Sequence, residues 1–232
     1  MKRKIIVLMI VMAVAGTVNA ATEAEKRAAI DLGLAHLAST QEADGRWEAG
    51  DVYYDTSATG SALLAFLEEK PNWGTNAAAY QTVVDSGLDY LMGRAQVVGI
   101  VPQSDGNPDG DNNQVGVKFV LGGPNQRDTY VTGIALPAIA SSGTPNKLVT
   151  VGPLAGRNDG SGAGGAWTYK DVVQNTIDYF AFGQTDSGTY DGGWRYYANW
   201  GDSDNSTTQW PVIAGAYASK MGVSYPGFVD TE

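Results

Sequence analysis

The chain has 232 residues, a formal net charge of −10 and no cysteine. Its acidic balance disfavours nucleic acid and anionic lipid surfaces as partners, because both carry negative charge. Without cysteine the chain cannot form disulfides, use a thiol nucleophile or bind a metal through sulfur.

Residues 1–20 have the pattern of a secretory signal peptide. A basic start is followed by an apolar run from Ile5 to Val18, and small residues precede Ala21. This short run and its small-residue ending favour cleavage after Ala20 over a membrane anchor. We therefore expect an exported protein, periplasmic or extracellular, that does not span the membrane after cleavage. Cleavage leaves 12 basic and 25 acidic residues, a net charge of −13.

The remaining stretch, 21–232, is long enough to bury a core as one domain. One kind of helical segment is predicted over 28–41, 82–96 and 171–184. Apolar residues recur there at helical intervals, as at Ile30, Leu34 and Leu37.

A second kind of helical segment begins with Asp, and Thr follows four residues later. The pairs are Asp55 with Thr59, Asp128 with Thr132 and Asp204 with Thr208. The unit recurs after 73 and then 76 residues, which marks an internal repeat. Helices of the two kinds alternate, so the sequence predicts an all-α protein of six helices in three helical hairpins with long Gly-rich loops.

Several residues of the second kind of segment have predicted structural roles. Each Asp is expected to cap a helix N-terminus. Gly60 and Gly133 predict close approach between helices. Pro137 and Pro211 fall inside the second and third of these segments, where they are expected to bend or shorten the helix.

Two loops contain Gln followed by Gly and Trp: Gln41, Gly45 and Trp47 in one, Gln184, Gly193 and Trp194 in the other. We expect each Gln to bond the backbone of its loop and each Trp to fill the gap between hairpins. The motif resembles the Gln–Trp repeat of the squalene cyclase and protein prenyltransferase superfamily, and the resemblance covers 24–222.

The resemblance implies part of an α-α toroid, in which helical hairpins form concentric rings with parallel inner helices. Closed toroids use more hairpins than the three predicted here. The resemblance therefore implies an incomplete ring or a fragment, whose open edge could associate with a second copy. The residues of the repeat motif and possible groove are Gln41, Gly45, Trp47, Asp55, Asp128, Gln184, Gly193, Trp194, Asp204, Gln209 and Trp210.

The chain contains the catalytic motifs of this family only in part. Cyclases of this type use Asp-x-Asp-Asp-Thr, whose middle Asp protonates the substrate, but the matching segment from Asp204 to Thr208 has Ser206 there. Asp202 and Asp204 are the remaining acid candidates. The prenyltransferase zinc site needs Cys, which is absent, and His, of which the chain has one, His36. The sequence therefore leaves open whether the protein is an enzyme.

These observations favour a non-catalytic binding or scaffold module for a small-molecule, lipid or protein ligand. The alternative is a carbohydrate-active hydrolase or lyase on an α-α toroid, with paired carboxylates in an aromatic-lined groove. A terpenoid cyclase is the third reading. Two carboxylates converging in an aromatic-lined cavity would favour the hydrolase.

One loop resembles the first half of an EF-hand calcium loop. Asp105, Asn107, Asp109 and Asp111 alternate along it, and Gly110 stands at the turn. Gly116 replaces the bidentate Glu at the twelfth position. The sequence allows a loose Ca²⁺ site that braces the loop, or a solvated Asp/Asn/Gly turn without an ion. No other cofactor is predicted.

Overall fold

The computed structural model describes residues 20–51, 54–120, 127–186 and 188–229. The signal peptide predicted over 1–20 lies outside these ranges, except for its last residue. The chain divides into two compact units, Met1–Leu37 and Ala38–Glu232. Every helix and strand from residue 55 onward belongs to the second unit.

The mainly helical class predicted from the sequence is confirmed. Within the described ranges the α-helices are α1 (Glu23–Ser39), α2 (Asp55–Glu68), α3 (Ala77–Gly93), α4 (Asp128–Ser141), α5 (Tyr169–Gly183) and α6 (Asn205–Ala218). Short 3₁₀ turns at Lys70–Asn72 and Gly74–Asn76 connect α2 to α3, and another at Ser219–Met221 follows α6.

Helices α2, α4 and α6 pack side by side, with α4 in the middle. A Cβ at Gly60 would lie 2.9 Å from the Ile134 carbonyl oxygen, and a Cβ at Gly133 would lie 2.5 Å from the Cβ of Trp210. The close approach predicted at both glycines is thus confirmed. Ser141, at the end of α4, hydrogen-bonds Glu68 at the end of α2, so these two helices run parallel.

Helices α3 and α5 cover this array. Helix α3 packs on α2, where Gly87 meets the side chain of Leu63, and α5 contacts both α4 and α6. The largest side chains that are completely buried include Phe66, Leu88, Leu136, Ile139, Trp167 and Phe180. The core therefore lies between the array and the two covering helices.

Two strands that the sequence analysis missed form a small antiparallel sheet. Strand β1 (Ala95–Gly99) pairs with β2 (Val115–Phe119), and β2 packs on α5. The helix predicted over 82–96 in fact ends at Gly93, and the chain enters β1 two residues later. The protein is therefore mainly helical with one small sheet, and not purely all-α as predicted.

The prolines do not shorten their helices. Helices α4 and α6 contain Pro137 and Pro211, yet each has 14 residues, the same length as α2. Both prolines are buried. Packing against neighbouring helices can offset a lost backbone hydrogen bond, since tertiary contacts supply most of a helix's stability.

Candidate functional site

The three repeated aspartates lie at the N-termini of α2, α4 and α6. Asp204 is the N-cap of α6, and its Oδ1 accepts a hydrogen bond from the Thr207 backbone N–H at 2.9 Å. Asp55 and Asp128 instead stand one position later, as the first helical residues. Oδ1 of Asp55 accepts from the backbone N–H of Ala49, in the preceding loop. The predicted capping role is therefore observed for Asp204, while Asp55 bonds its loop.

Each repeated aspartate forms an ion pair with a basic residue from the loop or strand before it. The pairs are Arg46 with Asp55, Lys118 with Asp128 and Arg195 with Asp204. Asp55 and Asp128 are 3% exposed. A carboxylate this deeply buried needs such a partner, because burial without one is costly. The basic residues therefore hold these side chains at the helix N-termini.

Each repeated threonine binds the backbone beside the basic residue. The Oγ1 atoms of Thr59, Thr132 and Thr208 accept hydrogen bonds from the N–H groups of Trp47, Phe119 and Trp194, at 3.0, 2.9 and 3.1 Å. One repeat thus combines an ion pair with a side-chain to backbone hydrogen bond, four residues apart on the helix. Both attach the preceding segment to the helix N-terminus.

The two glutamines bind their loops as the sequence predicts. Nε2 of Gln41 donates to the carbonyls of Gly45 and Val83, and Nε2 of Gln184 donates to that of Gly192, each at 2.9 Å. Gly193 is required by close packing, since a Cβ there would lie 2.4 Å from Ser203.

Ser206, two residues after Asp204, supports the ionised form of that carboxylate. Ser206 Oγ donates to Asp204 Oδ1 at 2.5 Å and lies 2.6 Å from the hydroxyl of Tyr130. The hydrogen bond from Ser206 is the largest cause that lowers the pKa of Asp204. Asp202 lies 3.3 Å from the Nε of Arg195, so both acids share one guanidinium. Because its pKa is lowered, Asp204 is a poor proton donor.

Aromatic rings gather beside Asp204. Tyr130 lies 5.9 Å from Tyr196 and 6.0 Å from Trp210 between ring centroids. Arg127 and Arg195 both lie over the ring of Tyr196. This aromatic surface at the N-termini of α4 and α6 contains Trp210 of the predicted groove, while Gln209 beside it is exposed.

Carboxylates converge at a different place, between the β1–β2 loop and α5. Asp109, Asp111 and Asp178 each offer an oxygen within 4.8 Å of the others, and we call them the three-carboxylate cluster. Of the four predicted calcium ligands, only Asp109 and Asp111 belong to it. Asp105 is exposed, and Asn107 Oδ1 accepts from the Asp109 backbone N–H.

The electrostatics of the three-carboxylate cluster differ from those of the repeated aspartates. Burial raises the pKa of Asp178 to about 7, and the charges of Asp111 and Asp109 contribute in the same direction. Burial also raises the pKa of Asp111. Among the described residues, none of the three forms an ion pair. The cluster thus concentrates negative charge without a protein counter-charge.

Two cavities are relevant to ligand binding. One of about 240 Å³ is lined by Asp111, Asn113, Asp159, Gly160, Ser161 and Asp171. Asp171 belongs to the capping box of α5, and Asp159 accepts from the indole N–H of Trp167. The other, about 430 Å³, lies beside α6 and is lined mainly by neutral residues, among them Trp194, Val212 and Tyr225. The aromatic rings beside Asp204 do not line the smaller cavity, which is the one that contains Asp111, Asp159 and Asp171.

Sequence reasoning missed the basic partners and Asp178. The basic residues could have been found from the sequence, because Arg46, Lys118 and Arg195 are each next to an aromatic residue that precedes a repeated Asp. Asp178 could also have been found, because together with Asp171 and Asn175 it forms a polar stripe at helical spacing.

No protein-family model matches the chain, and neither a curated protein nor a solved structure does. Within the described part of the chain, no helix combines the length and apolar character needed to cross a membrane.

Proposed function

We propose that this protein is an exported, non-catalytic scaffold or binding module of the squalene cyclase-like repeat type, and that its open edge binds a second copy of the chain. The positions of the repeated acids support the non-catalytic part. Each has a basic partner, and the acid beside Ser206 has a lowered pKa.

The observation that carries the proposal is the exposure of Val212 on α6. Its repeat equivalents, Leu63 on α2 and Leu136 on α4, are 0% exposed, whereas Val212 is 58% exposed. Leu63 is covered by α3 at Gly87. The apolar position that a covering helix buries in the first repeat therefore faces solvent in the third.

The opposite edge of the array is formed by α2, and positions that are covered on α4 and α6 are exposed there. Ala138 and Ala214 are 0% exposed, but their equivalent Ala65 on α2 is exposed. Ser61, next to Gly60, is exposed where its equivalents Ile134 and Trp210 face the preceding helix. The α2 edge therefore offers a surface of small residues against which another helix can pack closely.

The two edges favour association of copies head to tail. The α6 edge of one copy, with its cavity of about 430 Å³ beside Val212, would meet the α2 edge of the next. Such an interface joins two different surfaces, so it generates a closed ring or an open filament. Its apolar part would bury Val212 as Leu63 and Leu136 are buried within one copy.

Sedimentation velocity over a range of protein concentrations tests the proposal. The wild-type chain is expected to form species larger than a monomer as concentration rises, and Val212→Asp should shift the distribution to monomer. Val101→Asp is the matched control, since Val101 is 60% exposed and lies in the loop after β1. It should associate like the wild type.

Three results would contradict the proposal. The first is a wild-type chain that stays monomeric at every concentration, and the second is equal loss of association in both variants. The third is cleavage of a soluble polysaccharide by the purified protein that Asp111→Asn abolishes, which would favour the hydrolase or lyase alternative.

A further inference from the structure

The three-carboxylate cluster joins two parts of the chain that are distant in sequence. Asp109 and Asp111 belong to the loop between β1 and β2, and Asp178 belongs to the middle of α5. Their oxygens lie within 4.8 Å of one another. Calcium binds oxygen at 2.3–2.6 Å, so ligands on opposite sides of one ion are about 5 Å apart. The spacing therefore fits one shared ion.

Asp178 supplies an independent observation. Its side chain is 0% exposed, and its Oδ1 accepts from the Gly110 N–H at 3.1 Å and from Gln174 Nε2 at 2.9 Å. Its Oδ2 is buried and has no hydrogen-bond partner among the described residues. An unpaired buried carboxylate oxygen is costly, and a bound cation would satisfy it.

The loop is shaped to present its carboxylates. Asp109 accepts hydrogen bonds from the backbone N–H groups of Asn113, at 3.1 Å, and Gln114, at 2.8 Å. Asn113 and Asn175 both donate to Oδ2 of Asp111. Asn112 and Gln114 adopt φ values of 61° and 60°, in the left-handed region. Neutral donors thus fix two carboxylates beside Asp178 and leave the negative charge uncompensated.

We propose that Asp109, Asp111 and Asp178 bind one Ca²⁺ ion, which fastens the β1–β2 loop to α5. The donors are all oxygen, as hard cations prefer. Water completes the coordination sphere, which for Ca²⁺ holds six to eight oxygens. This site goes beyond the proposed scaffold function and does not depend on it.

Isothermal titration calorimetry on chelator-treated, full-length protein tests the site. Titration with CaCl₂ should show one binding event per chain, and Asp178→Asn should weaken the affinity at least tenfold. Ca²⁺ should also raise the Tm of the wild type and leave that of Asp178→Asn unchanged. Because Asn removes a buried charge and keeps the shape of the side chain, the variant should fold without the ion.

The matched control is Asp105→Asn, which removes an exposed carboxylate of the same loop outside the cluster. It should bind Ca²⁺ like the wild type. No heat and no Tm shift at millimolar Ca²⁺ would overturn the proposal, as would wild-type affinity in Asp178→Asn. A parallel titration with MgCl₂ should give weaker binding, and tighter Mg²⁺ binding would overturn the assignment of the ion.

Discussion

At the N-terminus of α6, the carboxylate of Asp204 accepts hydrogen bonds from Ser206 and from the Thr207 N–H, and it pairs with Arg195. All three contacts favour the charged form, which is why its pKa is lowered. The sequence resemblance predicted only that Ser206 stands where a cyclase-type motif would have its acid. It could not show that this serine stabilises the neighbouring carboxylate, because that depends on side-chain geometry.

Replacing this serine should change how Asp204 titrates. In Ser206→Ala the pKa of Asp204 should rise toward 3.8, its ordinary value, because the largest cause of the lowering is removed. A pH titration of the carboxyl ¹³C chemical shift by NMR measures this. Ser57→Ala, at the same repeat position in α2, should leave Asp204 unchanged. An unaltered Asp204 pKa in Ser206→Ala would refute the role given to Ser206.

The same change has a consequence for stability. A lowered pKa in the folded state stabilises the protein above the pKa of the unfolded state, and this contribution is lost as pH falls through the folded-state value. Ser206→Ala should therefore cost stability at neutral pH, and the difference from wild type should vanish at strongly acid pH.

At the scale of elements, glycines set how closely the array packs. A Cβ at Gly133 would lie 2.5 Å from Trp210 Cβ and 3.0 Å from its carbonyl carbon. Sequence reasoning predicted this approach because Gly60 and Gly133 occupy equivalent repeat positions. It missed β1 and β2, since they are five residues each and pair across a long loop rich in Asp, Asn and Gly. Such non-local pairing leaves little local signal.

Gly133→Ala tests the close approach of α4 and α6, because close packing reverses the sign of the effect that this change usually has on stability. In an ordinary helix this change gains about 0.5–1 kcal/mol. Here it should lower the free energy of unfolding by about 1–3 kcal/mol, because the methyl group forces α4 and α6 apart. Urea denaturation measures it. Gly93→Ala, where nothing lies within 4 Å of the added Cβ, is the control and should be neutral or slightly stabilising. A stabilised Gly133→Ala would argue against the packing described.

At the scale of the whole molecule, the repeated Asp and Thr attach one segment of each repeat to the helix that follows it. The mainly helical class and the positions of the helices that begin near Asp55, Asp128 and Asp204 were predictable, because apolar periodicity and the Asp–Thr spacing are local signals. The assembly of Asp109, Asp111 and Asp178 was not, because it depends on how a long loop folds back onto α5. The exposed edge at Val212 was not predictable either, because it is recognised by comparing the burial of Val212 with that of Leu63 and Leu136 in the structure.

The most direct test of this structural role is the stability of Thr59→Val, Thr132→Val and Thr208→Val by urea denaturation. Each change keeps the shape and removes the acceptor for a backbone N–H. Thr59 and Thr132 are completely buried, so their variants should lose about 1–3 kcal/mol of unfolding free energy. Thr208 is half-buried and its variant should lose less, because water can reach the vacated site.

Thr82→Val makes the same change on an exposed face of α3 and should stay within about 0.5 kcal/mol of wild type. We expect Thr59→Val and Thr132→Val to be clearly less stable than this control. If both were as stable as Thr82→Val, the repeated threonines would not hold the fold together.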